Sequence, residues 1–219
     1  MKRLLFFVAV FYVSFLLAQE RKYSTFYYQR TSLFEELPIE KEDIIFLGNS
    51  ITNGCEWAEL VGNPHVKNRG ISGDTSMGVY DRLEAVTKGS PSKIFLLIGT
   101  NDIAAGLSAD TIARNIEMIV DKIMKDTPST RVYLQSILPV STYYGMFTGH
   151  TSRKEIIPVL NGKLRELALR KGINYVDLYS RFVDPATGEM NIGYTNDGLH
   201  LLGKGYKKWI ETIQPYIGQ

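Results

Sequence analysis

Residues 44–52 read Ile-Ile-Phe-Leu-Gly-Asn-Ser-Ile-Thr, and this stretch decides the fold. Its first four residues are apolar without alternation, and Gly48 closes the run. A half-solvated strand would alternate apolar and polar residues, so this one fits a strand covered on both faces, as in a parallel sheet. Gly48 lets the chain turn sharply after the strand. Ser50 then stands where a helix begins, with its hydroxyl above the end of the strand.

Similar short runs recur at Lys93–Gly99, Arg131–Leu138 and Asn174–Tyr179, with a weaker one at His65–Arg69. Between them lie segments with helical periodicity. Met77–Lys88 places Val79, Leu83 and Val86 on one face, and Ala109–Lys125 does the same with Ile112, Ile116, Ile119, Val120 and Ile123 behind an N-cap at Ser108. Ile156–Arg170 repeats the pattern and is followed by Gly172, and Gly205–Tyr216 forms a last helix. Strands alternating with helices imply right-handed crossovers, a parallel sheet and a three-layer α/β/α sandwich. Ligands in such sheets bind beyond the carboxyl ends of the strands.

No repeat, low-complexity tract or linker divides residues 19–219, so they form one domain. Residues 1–18 are different: Lys2 and Arg3 precede an apolar run from Leu4 to Leu17, and Ala18 is a small residue ahead of Gln19 and Glu20. That is the layout of a cleaved secretory leader, with a core short of the roughly 20 residues that span a bilayer. Export into a periplasmic or extracellular space, without stable membrane insertion after cleavage, is therefore expected. Removal of the leader takes away both cations and leaves 23 basic against 23 acidic residues, a balance with no general attraction for nucleic acid. Cys55 is the one cysteine, so stability comes from the core and not from an internal disulfide.

Four positions on this frame carry chemistry. Ser50 follows the first strand, a place that equally suits a simple N-cap. Asn101, in Gly99-Thr-Asn-Asp102, follows the third run and offers an amide donor; an Asx-turn is the plainer explanation of the same residue. Gly70, in Asn68-Arg-Gly-Ile-Ser-Gly-Asp-Thr75, follows the second run, where a glycine lets a substrate reach the backbone N–H or simply makes a turn. Asp197 stands three residues before His200, so its carboxylate can hold Nδ1–H and leave Nε2 free as a base. The chain has three histidines, and His65 and His150 lack such an acidic neighbour in sequence. No further His or Cys clusters near Asp197 and His200, which argues against a metal, and no cofactor is expected. Gly198 to Lys204 has the spacing of a phosphate-binding loop, but Gly205 replaces the required Ser or Thr and no strand precedes it.

The blocks Gly48-Asn-Ser-Ile-Thr52, Asn68 to Thr75, Gly99-Thr-Asn-Asp102 and Asp197-Gly-Leu-His200 resemble, in order, the four signature blocks of the SGNH/GDSL-like hydrolases. Within them the chain is most similar to bacterial platelet-activating-factor acetylhydrolase-like and sialate O-acetylesterase-like esterases. The resemblance implies a flavodoxin-like sheet, Ser50 as nucleophile, Asp197 and His200 completing a triad, and an oxyanion hole from the N–H groups of Ser50 and Gly70 with Asn101. It departs at Asn49, where the motif usually carries Asp.

The expected substrate is a small-molecule or glycan ester bearing a short acyl group, with acetyl esters of carbohydrates foremost. Tyr143, Tyr144 and Tyr194, with Phe147 and Asn191 nearby, are candidates to line its binding site. Two other functions remain open at this point: a lysophospholipase or lipase for longer chains, and a non-catalytic carbohydrate binder on the same scaffold.

Overall fold

The computed structural model describes residues 21–218, so the expected leader lies outside the described residues. Helix α1 (Thr25–Glu36) precedes strand β1 (Ile44–Gly48), then come α2 (Ser50–Asn53), α3 (Trp57–Val61) and β2 (Val66–Gly70). Helices α4 (Ser76–Asp81) and α5 (Glu84–Thr87) lead to β3 (Lys93–Leu97), α6 (Thr100–Ala104), α7 (Ala109–Asp126) and β4 (Arg131–Gln135). The chain ends with α8 (Thr148–Thr151), α9 (Ile156–Lys171), β5 (Asn174–Val176), α10 (Tyr179–Phe182), a 3-10 turn at Ile192–Tyr194, and α11 (Gly203–Ile217).

The five strands are all parallel in the order β2-β1-β3-β4-β5, which is the flavodoxin-like order. Register aligns Phe46, Phe95 and Tyr133 on one face. Their rings stack in a ladder with centroids 5.1 and 4.6 Å apart. Trp57 of α3 lies flat on Phe46 at 4.0 Å and meets Trp209 of α11 edge-on. The opposite face presents Ile45, Leu47, Ile94, Leu96, Val132 and Leu134, all buried. Right-handed crossovers put α7 and α9 on that side, and the apolar stripes of both helices are buried.

Several boundaries differ from expectation. Hydrogen-bonded pairing stops at Leu97, Gln135 and Val176, short of Gly99, Leu138 and Tyr179. Ile98, Ile137 and Leu138 stay buried after leaving the ladder, so hydropathy alone extended the strands too far. The expected helix Met77–Lys88 is two short helices, α4 and α5, joined through Arg82 and Leu83. Val79, Leu83 and Val86 nevertheless share the core as their spacing requires. Helix α1 was not anticipated, because only Tyr27 and Phe34 of its residues are buried and they form no continuous stripe.

Candidate active site

Every strand ends at one edge of the sheet, and the functional candidates gather there. Asn49, fully buried, caps α2 by accepting the Ile51 N–H at 3.1 Å. Ser50 is therefore not the cap. It is the first helical residue, and its hydroxyl is free to face His200, whose Nε2 lies 3.0 Å from Oγ. The Ser50 N–H, in the first helical turn, has no acceptor within its helix.

His200 Nδ1 lies 2.7 Å from Asp197 Oδ2. The other carboxylate oxygen accepts the N–H groups of Leu199 and His200, each at 2.8 Å. Burial by itself would raise the Asp197 pKa, but those N–H groups and the His200 ring hold it below the usual carboxylate range. An ionised carboxylate only accepts, so Nδ1 carries the proton and Nε2 keeps a lone pair toward Ser50. The arrangement can thus draw a proton from serine as its oxygen attacks a carbonyl carbon.

Two of the three expected oxyanion donors are already engaged. One N–H of Asn101 Nδ2 is given to the Asp74 carbonyl at 2.7 Å, which leaves the second N–H of the amide. Gly70 has a single N–H, and it is donated to Asn68 Oδ1 at 2.8 Å. Gly70, expected as an oxyanion donor, would reach an oxyanion by sharing or leaving that bond. The need for glycine has a different origin. A Cβ at Gly70 would overlap the backbone of Asn53 and Asn49, and one at Gly48 would overlap the Leu97 carbonyl and Thr52. Both glycines let α2 settle onto the strand ends.

The segment from Ser141 to Glu155 forms the rim. Tyr143 is 71% exposed and meets Tyr144 edge to face at 5.0 Å. The Tyr144 hydroxyl donates to the Thr195 carbonyl at 3.0 Å, so this residue offers a ring face rather than a free hydroxyl. Tyr194 is placed otherwise than expected: it is half-buried, with its ring against buried Phe182, and packs the turn onto the core. Asn191 caps that turn by accepting the Gly193 N–H.

Phe147, expected near the binding site, and His150, which its sequence context did not single out, both enter it. Phe147 sets its ring 5.0 Å from that of His200 and holds a left-handed φ of 49°, a strained conformation for a bulky residue. His150 Nε2 lies 2.9 Å from Asn101 Oδ1. Glu189, also unforeseen, ties both ends of the segment. Its carboxylate accepts from Ser141 Oγ, the Thr142 N–H and Thr142 Oγ1, and pairs with Lys154.

His65 lies at the opposite edge of the sheet, just before β2. There it faces buried Asp43 at 3.2 Å, with Glu40 alongside, and the same carboxylate has Lys67 Nζ 3.6 Å away. This group has no part in the Ser50 site.

A serine, an imidazole and a carboxylate in series at the carboxyl edge of a parallel sheet have the geometry of a serine hydrolase. The chain belongs to the GDSL-like lipase/acylhydrolase family, whose model matches residues 46–208, and it is a carboxylic ester hydrolase. It is 27% identical over 186 residues to platelet-activating factor acetylhydrolase IB subunit alpha2 of Rattus norvegicus, covering 82% of this chain and 78% of that one. A Streptococcus pneumonia protein, named as a candidate platelet activating factor, superposes with a TM-score of 0.79 at 30% identity, covering 96% of this chain and 98% of the other. A GDSL-like lipase from Bacteroides thetaiotaomicron gives a TM-score of 0.75 at 26% identity, covering 88% and 97%.

Proposed function

We propose that this chain is a serine esterase that removes short acyl groups, chiefly acetyl, from a polar alcohol such as a sugar. The observation that carries the reading is the unbroken series Ser50–His200–Asp197, at 3.0 and 2.7 Å. In this reading Ser50 Oγ attacks the ester carbonyl while His200 Nε2 takes its proton. The oxyanion meets the Ser50 N–H and the remaining N–H of Asn101, with Gly70 joining if its bond to Asn68 yields. His200 returns the proton to the departing alcohol, and water then releases the acyl group from Ser50 by the same steps in reverse order.

The short-acyl part rests on what lies under Ser50. Gly48 and Gly70 fit closely against Leu97, Thr52, Asn49 and Asn53, and Ile51 and Leu199 are buried. The floor is filled with protein, so added CH₂ groups gain little of the roughly 0.8 kcal/mol each that burial would bring. The related rat protein is by name an acetylhydrolase. The exposed Tyr143 ring with Tyr144 beside it suits the face of a sugar, and the leader expected at residues 1–18 suits a substrate met after export.

One observation favours a second reading, in which the chain is a lipase for longer acyl chains. Met146 and Ile192 are each 49% exposed and Leu202 is 40% exposed, apolar side chains against which an alkyl chain could lie. A series of acetyl, butyryl, octanoyl and palmitoyl esters separates the two, run beside acetate release from O-acetylated sialic acid and acetylated xylo-oligosaccharides. The proposal expects kcat/KM to be highest at acetyl or butyryl, with acetate released from at least one glycan. A steady rise toward palmitoyl, with no release from either glycan, would establish the lipase instead.

A further inference from the structure

We infer that His150 is a positioning residue for the oxyanion: it clamps the amide of Asn101 so that one N–H of Nδ2 is held for the developing negative charge. The inference rests on the proposed role of Asn101 and adds a residue to that site.

The Asp74 carbonyl oxygen 2.7 Å from Asn101 can only accept, so the amide nitrogen is the atom that faces it. The amide oxygen is thereby turned to His150, and Oδ1 can only accept in its turn. The contact at 2.9 Å must then be an N–H donated by His150 Nε2. The amide is gripped at both ends, by a carbonyl on the nitrogen and by an imidazole on the oxygen. Rotation about the last side-chain bond, which would swing an oxygen lone pair toward the oxyanion, breaks both bonds together. One Nδ2–H remains uncommitted and fixed in direction, which is the preorganisation an oxyanion donor requires.

The surroundings fit this role. His150 is half-buried, and burial first, then the neighbouring His200, pushes its pKa down. A neutral ring still donates through Nε2, so the clamp does not place a second cation beside the base. Phe147 lies edge-on to both imidazoles, with its centroid 5.9 Å from His150 and 5.0 Å from His200. The same short segment thus touches the base with one ring and the oxyanion donor with another. Arg153 Nη1 adds a bond of 3.2 Å to the Ile103 carbonyl, which fastens the segment to helix α6, the helix that carries Asn101.

The test uses the full chain and three substitutions: His150→Ala, His150→Gln and Asn101→Ala, alone and as His150/Asn101 pairs. Turnover of p-nitrophenyl acetate and inhibition by an alkylboronic acid, which forms a tetrahedral adduct on the serine, are read for each. His150→Ala should lower kcat roughly 10-fold and weaken the boronate about as much, with KM nearly unchanged, because the clamp acts on a transition-state donor. His150→Gln, whose amide N–H can reach Oδ1, should recover most of the loss. In the Asn101→Ala background the His150 substitutions should have almost no further effect, since nothing is left to position. Equal losses in His150→Gln and His150→Ala, or a full further loss on top of Asn101→Ala, would overturn the inference while leaving Asn101 its role. Unchanged kcat in Asn101→Ala itself would instead overturn the reading of the oxyanion hole on which the inference rests.

Discussion

Asp197 does two jobs with its two oxygens, and a conservative substitution pulls them apart. Oδ1 accepts two backbone N–H groups and so builds the turn that presents His200, while Oδ2 sets the proton on Nδ1. Asp197→Asn keeps an acceptor for the turn but places an N–H against Nδ1, which forces the proton onto Nε2. We expect kcat to fall by roughly 10³- to 10⁴-fold with Tm nearly unchanged, as follows from reversing the tautomer of the base. Asp197→Ala should lower Tm as well, because the turn loses its acceptor. A Tm loss in Asp197→Asn as large as that in Asp197→Ala would contradict this division. Because the Asp197 pKa is depressed, its contribution to stability is present above the unfolded carboxylate value and disappears as pH falls through the folded one.

Residues of this kind were legible in the sequence because their partners are near in it or follow a strand. Asp197 and His200 are three apart, and Ser50 and Asn101 each come just beyond a run of buried strand residues. His150 was not legible. It meets Asn101 from 49 residues away, with no local acidic partner to mark it. Gly70 was legible as a position but not in its physical reason, since a close approach to α2 and a free N–H call for the same residue type.

At the scale of elements, the rim from Ser141 to Glu155 depends on Glu189. Burial would raise this carboxyl, but Lys154, the Thr142 N–H and the hydroxyls of Thr142 and Ser141 hold its pKa down to about 2. A folded pKa below the unfolded one gives stability that is complete above about pH 4.5 and is lost as pH falls toward about 2. Glu189→Gln keeps the shape and removes the charge, so we expect a lower Tm at neutral pH and a flatter dependence of Tm between pH 5 and about 3. It should also slow turnover, since Phe147 and His150 are carried on the loosened segment. Thermal unfolding across that range checks this, and a Tm deficit that persists undiminished at the acid end would contradict the clamp. The sequence held no sign of it, because the segment and Glu189 are joined only in three dimensions. The break between α4 and α5 was hidden for another reason: no Gly or Pro marks it. Arg82, at the join, is instead turned inward to Asp74 Oδ2 and the Gly48 carbonyl, at 2.8 and 3.1 Å.

For the molecule as a whole, the order of strands and helices was sufficient to give the sandwich, because parallel pairing and right-handed crossovers leave few other arrangements. The stack that closes one face was less visible. Phe46, Phe95 and Tyr133 come from three strands, and Trp209 reaches across to donate to Gln135 Oε1 at 2.7 Å. Trp209→Ala removes a buried ring and strands that acceptor, so it should destabilise the fold by about 3–5 kcal/mol in chemical denaturation. A loss under about 1 kcal/mol would show that the surrounding rings close the space unaided. The fold matters to function because it brings α2, α6 and the Asp197–His200 turn to one sheet edge. The claim that depends on all of this is that Ser50 is the nucleophile. The most direct measurement is to treat the protein with a fluorophosphonate, digest it and locate the adduct by mass spectrometry, with Ser50→Ala in parallel. The account predicts one phosphonylated residue, Ser50, and neither labelling nor esterase turnover in a Ser50→Ala protein that melts at the wild-type temperature. An adduct on a different residue, or full turnover in Ser50→Ala, would contradict it.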